Sequence, residues 1–136
     1  MDLTEQIHAL MPFCATLDMR TLAQESSHVE MEMDWTPERC TTNGLLHGGA
    51  VMALADAAGG ACASVNLPET AVGTSTIESK TNFLGAVRGG VVRATSRPLH
   101  VGSTTIVVET EVRDENGRLV AKTTQTQIVL MPRASS

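Results

Sequence analysis

Aromatic residues are nearly missing from this chain: two Phe, one Trp and no Tyr make up 2% of 136 residues. Stacking on an aryl group is therefore not obviously provided, although aliphatic walls can enclose an aryl or an aliphatic chain. Positive charge is also scarce, with ten Lys and Arg against fifteen Asp and Glu, a net charge of -5 and a pI near 5.3. Nucleic acids and anionic membranes need a basic face to neutralise phosphate, so both are excluded as expected partners. Cys14, Cys40 and Cys62 are odd in number and form no CxxC pair, so neither a disulfide framework nor a zinc knuckle is suggested, and reduced, mostly buried thiols are expected. The histidines, His8, His28, His47 and His100, lack metal-ligand spacing, and no metal or cofactor is implied. No apolar run approaches the ~20 residues of a bilayer span, and the start MDLTEQIH has no basic-then-apolar layout. A cytosolic location and a single domain over residues 1–136 are the expectations.

What is present is periodicity. Asp2 and Glu5 have capping-box spacing, and Leu3, Ile7, Leu10 and Met11 recur at helical intervals until Pro12, which predicts a short amphipathic N-terminal helix. A weaker mixed pattern over Phe13 to Gln24 fits a first strand. From His28 to Trp35, Val29, Met31, Met33 and Trp35 alternate with polar residues, the period of a half-buried strand. Leu45 to Val65 is long, rich in Ala and Gly and apolar on nearly every face, so it predicts a buried helix. Gly59 and Gly60 cost it about 1 kcal/mol each, which close packing is expected to offset. Strand patterns then run over Val72 to Leu84, Val91 to Val101, Thr104 to Arg113 and Leu119 to Met131, broken by Gly89-Gly90, His100 to Ser103 and Asp114 to Gly117. Consecutive hairpins imply an antiparallel sheet, and the whole an α+β domain whose curved sheet wraps the helix.

Between Arg39 and Glu69 the only formally charged side chain is Asp56, in the middle of the predicted helix. Burying an unpaired carboxylate costs several kcal/mol, so it needs a partner or a chemical role. An Asp that merely caps or salt-bridges a neighbour is the alternative. The second signal is the run Asn43-Gly44-Leu45-Leu46-His47-Gly48-Gly49 leading into the same helix. Free N–H groups at a helix start, backed by the positive end of the dipole, stabilise developing negative charge, and glycine lets a carbonyl approach. A plain loop and a structural histidine are the corresponding alternatives. Asp56 lies nine residues after His47, about 13 Å along a helix at 1.5 Å per residue. A base or nucleophile and an oxyanion donor must both lie within ~3 Å of the reacting atoms. If both act, they must come from two chains of a two-fold dimer with antiparallel helices.

These residues resemble the hotdog-fold thioesterases, especially the phenylacetate-degradation (PaaI-like) group, with the 4-hydroxybenzoyl-CoA thioesterases as more distant relatives. The pattern GxxHGGxxxxxxxD is matched by Gly44, His47, Gly48, Gly49 and Asp56, and Thr81 to Leu84, Gly89-Gly90, Gly102 and Asn116 to Ala121 are similar to that family's later strands and turns. The resemblance covers roughly residues 28 to 131. It implies a hotdog fold and hydrolysis of acyl-CoA thioesters to free acid and CoA by a homo-oligomer, a dimer or dimer of dimers. Asp56 would be the nucleophile or the base that activates water. Gly48 would donate its N–H to the thioester oxygen, Gly49 would border the substrate, and His47 would shape the loop. Thr76 is the match for a polar side chain that helps hold the water. The family commonly has Asn or Gln six residues before the histidine, where this chain has Thr41; either Asn43 or Thr41 supports the site. Lys80, Arg88, Arg93, Arg97 and His100 are available cations for CoA, Arg88 foremost. The competing readings are a hotdog enoyl-CoA hydratase or dehydratase and a non-catalytic acyl-CoA-binding domain.

Overall fold

The computed structural model describes residues 1–133; the last three residues of the Arg133 to Ser136 tail lie outside the described residues. The N-terminal helix, α1 (Leu3–Leu10), forms with the capping box intact: the Glu5 amide donates to Asp2 Oδ1 at 2.8 Å and the Asp2 amide to Glu5 Oε2 at 3.2 Å. The segment read as one strand from Phe13 divides instead. Pro12 does not only end α1; it opens a second short helix, α2 (Pro12–Thr16), because proline at a first helical position sacrifices no hydrogen bond. Strand β1 is only Arg20–Gln24.

Strand β2 (Val29–Asp34) buries Val29, Met31 and Met33 completely, as alternation requires. After two 3-10 turns, Pro37–Arg39 and Thr42–Gly44, comes the long helix α3 (Gly48–Ser64), which starts three residues later than its apolar pattern does. The delay arises because Leu46 bridges Cys40 in antiparallel fashion and its amide donates to Val87 O at 2.9 Å, holding the approach extended. Four strands follow: β3 (Gly73–Phe83), β4 (Val91–Val101), β5 (Thr105–Arg113) and β6 (Leu119–Leu130). Among the described residues they join β1 and β2 in one fully antiparallel sheet of order β1-β2-β4-β5-β6-β3. Strands β4, β5 and β6 form the expected meander, but β3 does not pair with β4. It pairs with β6 and becomes an edge, so Gly89-Gly90 belongs to a crossover rather than a hairpin. The sheet curves around α3, which touches β2 through β6. This is the hotdog arrangement.

The helix is not buried on every face. Leu54, Ala55, Ala58, Cys62 and Ala63 are sealed against the sheet, while Gly49, Met52 and Asp56 are exposed in the single chain and Ala53 and Gly60 half-buried. A helix packed on one sheet has an outer stripe that only another element can cover, and here α1 and α2 leave part of it open. The two helix glycines differ accordingly. A Cβ built on Gly59 would overlap the Gln125 carboxamide, whereas one on Gly60 meets nothing within 4 Å. Only Gly59 is required by close packing. Burial pushes the Cys62 thiol up to about 11 and raises that of Cys14, with the Asp56 carboxylate adding to the latter; Cys40 is half-buried.

Candidate active site

The helix start is assembled from consecutive residues. The His47 amide donates to Arg39 O at 2.9 Å, and His47 is the N-cap of α3, with extended backbone at φ -62° and ψ 133°. Its ring Nδ1 accepts from the Gly49 amide at 2.7 Å, so in the neutral ring the proton resides on Nε2. His47 O accepts from Ala50 and Val51 at 2.9 and 3.2 Å. Gly48 is thus left with the one amide of this first turn that finds no acceptor among the described residues. The Phe83 ring, at the end of β3, lies against it: a Cβ on Gly48 would sit 3.2 Å from two ring carbons. A cavity of about 320 Å³ opens beside His47 and Gly49, walled by Phe13, Leu17, Arg39 and Cys40.

Asp56 is built differently. It projects from the third turn of α3, where the Nε2 of Gln125 on β6 donates to its Oδ1 at 2.9 Å. The same nitrogen approaches Thr76 Oγ1 at 3.3 Å, and Gln127 Nε2 donates to that hydroxyl oxygen at 2.6 Å. Thr74 completes the set by donating to Ile128 O at 2.8 Å, with Gln127 Oε1 at 3.1 Å. Asp56 and this network face a second cavity of about 370 Å³, whose apolar side is Ile7, Leu10 and Met11. Thr76 sits next to a bulge, since the β3–β6 register shifts between Thr76 and Glu78. The two cavities share no lining residue, and eight helical residues, about 12 Å, separate Gly48 from Asp56.

The expected residues therefore fall into four groups. Asp56 and Thr76 meet in one cavity, and His47, Gly48 and Gly49 cluster at the helix start. Gly49 does not offer its amide to a substrate, because His47 occupies it. Asn43 and Thr41 are exposed and line neither cavity; Asn43 holds a left-handed turn at φ 63° followed by Gly44 at φ 68°, whose carbonyl accepts from Trp35 Nε1 at 3.0 Å. Arg88 lies in the crossover loop in a different cavity, with Asp114 and Glu115. Gln125, Gln127 and Thr74 were not anticipated. For the two glutamines on β6 the signal was strand parity: Ala121 and Val129 face the core, so Thr123, Gln125 and Gln127 must face it too.

Residues 43–121 match the family model "Thioesterase superfamily", which is more than half of the chain. The chain belongs to the thioesterase superfamily. As a member of that superfamily it is a thioester hydrolase on a hotdog scaffold. It is 34% identical over 115 residues to ComA2 of Bacillus subtilis (strain 168), an alignment covering 76% of this chain and 90% of that protein. With the 1,4-dihydroxy-2-naphthoyl-CoA hydrolase of Escherichia coli (strain K12) it shares 37% identity over 87 residues, covering 64% of this chain and 63% of the relative. Among solved structures, a thioesterase family protein from Silicibacter pomeroyi superposes with a TM-score of 0.86 at 27% identity, covering 95% of this chain and 96% of that one. No helix among the described residues is long and apolar enough to cross a membrane.

Proposed function

We propose that this thioester hydrolase cleaves acyl-CoA at two identical sites, each joining Asp56 of one subunit to the Gly48 helix start of a second. The observation that carries this reading is the split geometry. A carboxylate held by one oxygen in one cavity and an unengaged helix-terminal amide beside another are complementary parts of one reaction, yet lie about 12 Å apart on one rigid helix.

The exposed edge supports the second copy. Strand β3 is eleven residues long, pairs among the described residues only with β6, and leaves Ile77 60% exposed, with Val72 just before it 68% exposed. Such an edge needs covering. Pairing with its own copy about a two-fold axis would extend the sheet and bring two α3 stripes, with Met52 and Asp56, toward each other in antiparallel sense. The E. coli relative is named for a CoA thioester, and the apolar sides of both cavities, Leu10 and Met11 in one and Phe13 and Leu17 in the other, suit an acyl group.

In the proposed reaction the Asp56 carboxylate supplies an electron pair, either to a proton of the attacking water or directly to the carbonyl carbon. The carbonyl oxygen takes up the displaced pair and accepts from the Gly48 amide, with the α3 dipole behind it. The C–S bond then breaks, and the thiolate takes a proton that originates from water. By the first route Asp56 returns the one it removed; by the second a water hydrolyses the acyl–Asp56 anhydride and supplies it, so that one water is consumed per acid and CoA thiol released. Mixing Asp56→Asn with Gly48→Pro subunits tests the arrangement. Each variant alone is inactive, and subunit exchange restores about one quarter of wild-type activity, because half of the dimers are hetero and each has one intact site. Exchange without recovered activity, shown by heterodimers on native mass spectrometry, would refute the two-chain site.

A further inference from the structure

The sheet beneath α3 contains a residue that stability alone does not explain. Gln125 is fully buried, in a row whose neighbours across β5 and along β6 include Val108 and Val129. Its carboxamide is only half satisfied: both hydrogens of Nε2 are directed to Asp56 Oδ1 and Thr76 Oγ1, while Oε1 finds no partner among the described residues. A buried acceptor left unpaired costs about 1–3 kcal/mol. Turning the amide over would bring its oxygen against the carboxylate, so Asp56 selects the orientation that leaves Oε1 orphaned.

The backbone has been cleared to allow this. Oε1 rests where a Cβ of residue 59 would stand, and the Gln125 Cδ would be only 2.9 Å from that atom. Gly59 is buried in a helix interior, where glycine is disfavoured by about 1 kcal/mol against alanine. Two independent departures from the most stable choice, a polar side chain in the core and a glycine in the helix, thus converge on one contact. Thr76, held in turn by Gln127, fixes the other side of the amide.

From these contacts we infer that Gln125 is a positioning residue that aims the Asp56 carboxylate, and that Gly59 exists to admit it. The inference rests on Asp56 being the catalytic carboxylate. With Oδ1 engaged by Gln125, the χ2 rotation of Asp56 is restrained and Oδ2 is presented to the cavity. Gln125 touches no reacting atom. It acts by holding the carboxylate within the few tenths of an ångström and few degrees that a reactive geometry tolerates.

Three proteins test it beside wild type and Asp56→Asn: Gln125→Val, Gly59→Ala, and the double variant. All are folded dimers by unfolding and sedimentation if Gly59 serves only to make room. Gln125→Val removes the donor and Gly59→Ala displaces it, so each lowers kcat about 10- to 100-fold with KM within about twofold of wild type, the misplacement being felt in the reaction and not in binding. In the double variant the new methyl enters space vacated by the amide, and kcat equals that of Gln125→Val alone rather than the product of the two losses. Wild-type kcat in either folded single variant, or multiplied losses in the double, overturns the positioning role. Should Gln125→Val not fold, Gly59→Ala decides by its kcat alone. An active Asp56→Asn would instead overturn the underlying assignment of the carboxylate, so the two failures are separable.

Discussion

The two ends of the proposed chemistry on α3 are built by different means. At the helix start every part is local: the cap, the amide it occupies and the amide it leaves are His47, Gly49 and Gly48. At Asp56 the parts come from far apart in sequence, with Thr76 twenty residues later on the edge strand and Gln125 sixty-nine residues away on β6. A backbone-donor site needs only a turn, a cap and room. A carboxylate aimed at a substrate needs neighbours from other elements, because its own χ angles do not fix it. The first kind survives changes elsewhere in the fold; the second depends on the sheet register.

Substitutions sharpen or break this contrast. The largest effect belongs to Asp56→Asn, which keeps shape and removes the basic electron pair: hydrolysis falls about 10²–10⁴-fold in an intact dimer, read as kcat/KM with CoA release. Unchanged turnover would leave Asp56 as a surface residue tied to Gln125. Next comes Gly48→Pro. Proline is favoured at a first helical position, and His47 already has the extended backbone that a following proline demands, so the helix persists while its unengaged N–H disappears and the exposed Phe83 ring yields slightly to the new Cβ. The expected loss is about 10²–10³ in kcat. A proline variant with full activity would remove the helix start from the reaction.

His47→Ala separates support from chemistry. Losing the side-chain cap costs about 1 kcal/mol in thermal or urea unfolding, whereas His47→Asn, which can still cap, keeps most of that stability. Equal destabilisation by both would place the histidine's role outside capping. The smallest effect lies away from α3, at the Arg20 bridge between β1 and β2, which joins Asp34 at 2.9 Å and Glu32 at 2.9 Å. The hydrogen bond from Arg20 holds the Asp34 carboxyl below its ordinary range. Its stabilisation is therefore present above that range and is lost as pH falls through the lowered value. For a pair this exposed, Asp34→Asn costs below about 1 kcal/mol at neutral pH, and the difference from wild type vanishes in acid. A difference that persisted there would assign the effect to packing.

The elements differ in how legible they were. Strand β2 and the strands β4 to β6 follow from alternation alone, since one face of each is buried. The pattern over Phe13 to Gln24 misled because its apolar residues serve two elements, α2 and β1, and Pro12 can start a helix as well as stop one. Strand β3 was recognised but not its place: an edge strand exposed on both faces carries no periodic signature of its partner. Helix α3 was expected to be enclosed, because alanine and glycine make a uniformly apolar stretch that hides which stripe meets the sheet. The loop candidates Thr41 and Asn43 rested on the family pattern of an Asn or Gln six residues before the histidine; in the single chain both are exposed and line neither cavity, Asn43 standing in a left-handed turn.

From its sequence alone the chain determines the helix start with its glycines, the lone carboxylate, their spacing on one helix, and hence that one copy cannot bring them together. These are consequences of short-range geometry, 1.5 Å per residue along a helix and two residues per repeat along a strand. Only the tertiary structure decided that Asp56 stands on the open stripe, that Phe83 lies against Gly48, and that Gln125 reaches the carboxylate across the space kept by Gly59. Those facts depend on the packing of side chains from elements distant in the chain, where no local period records the partner.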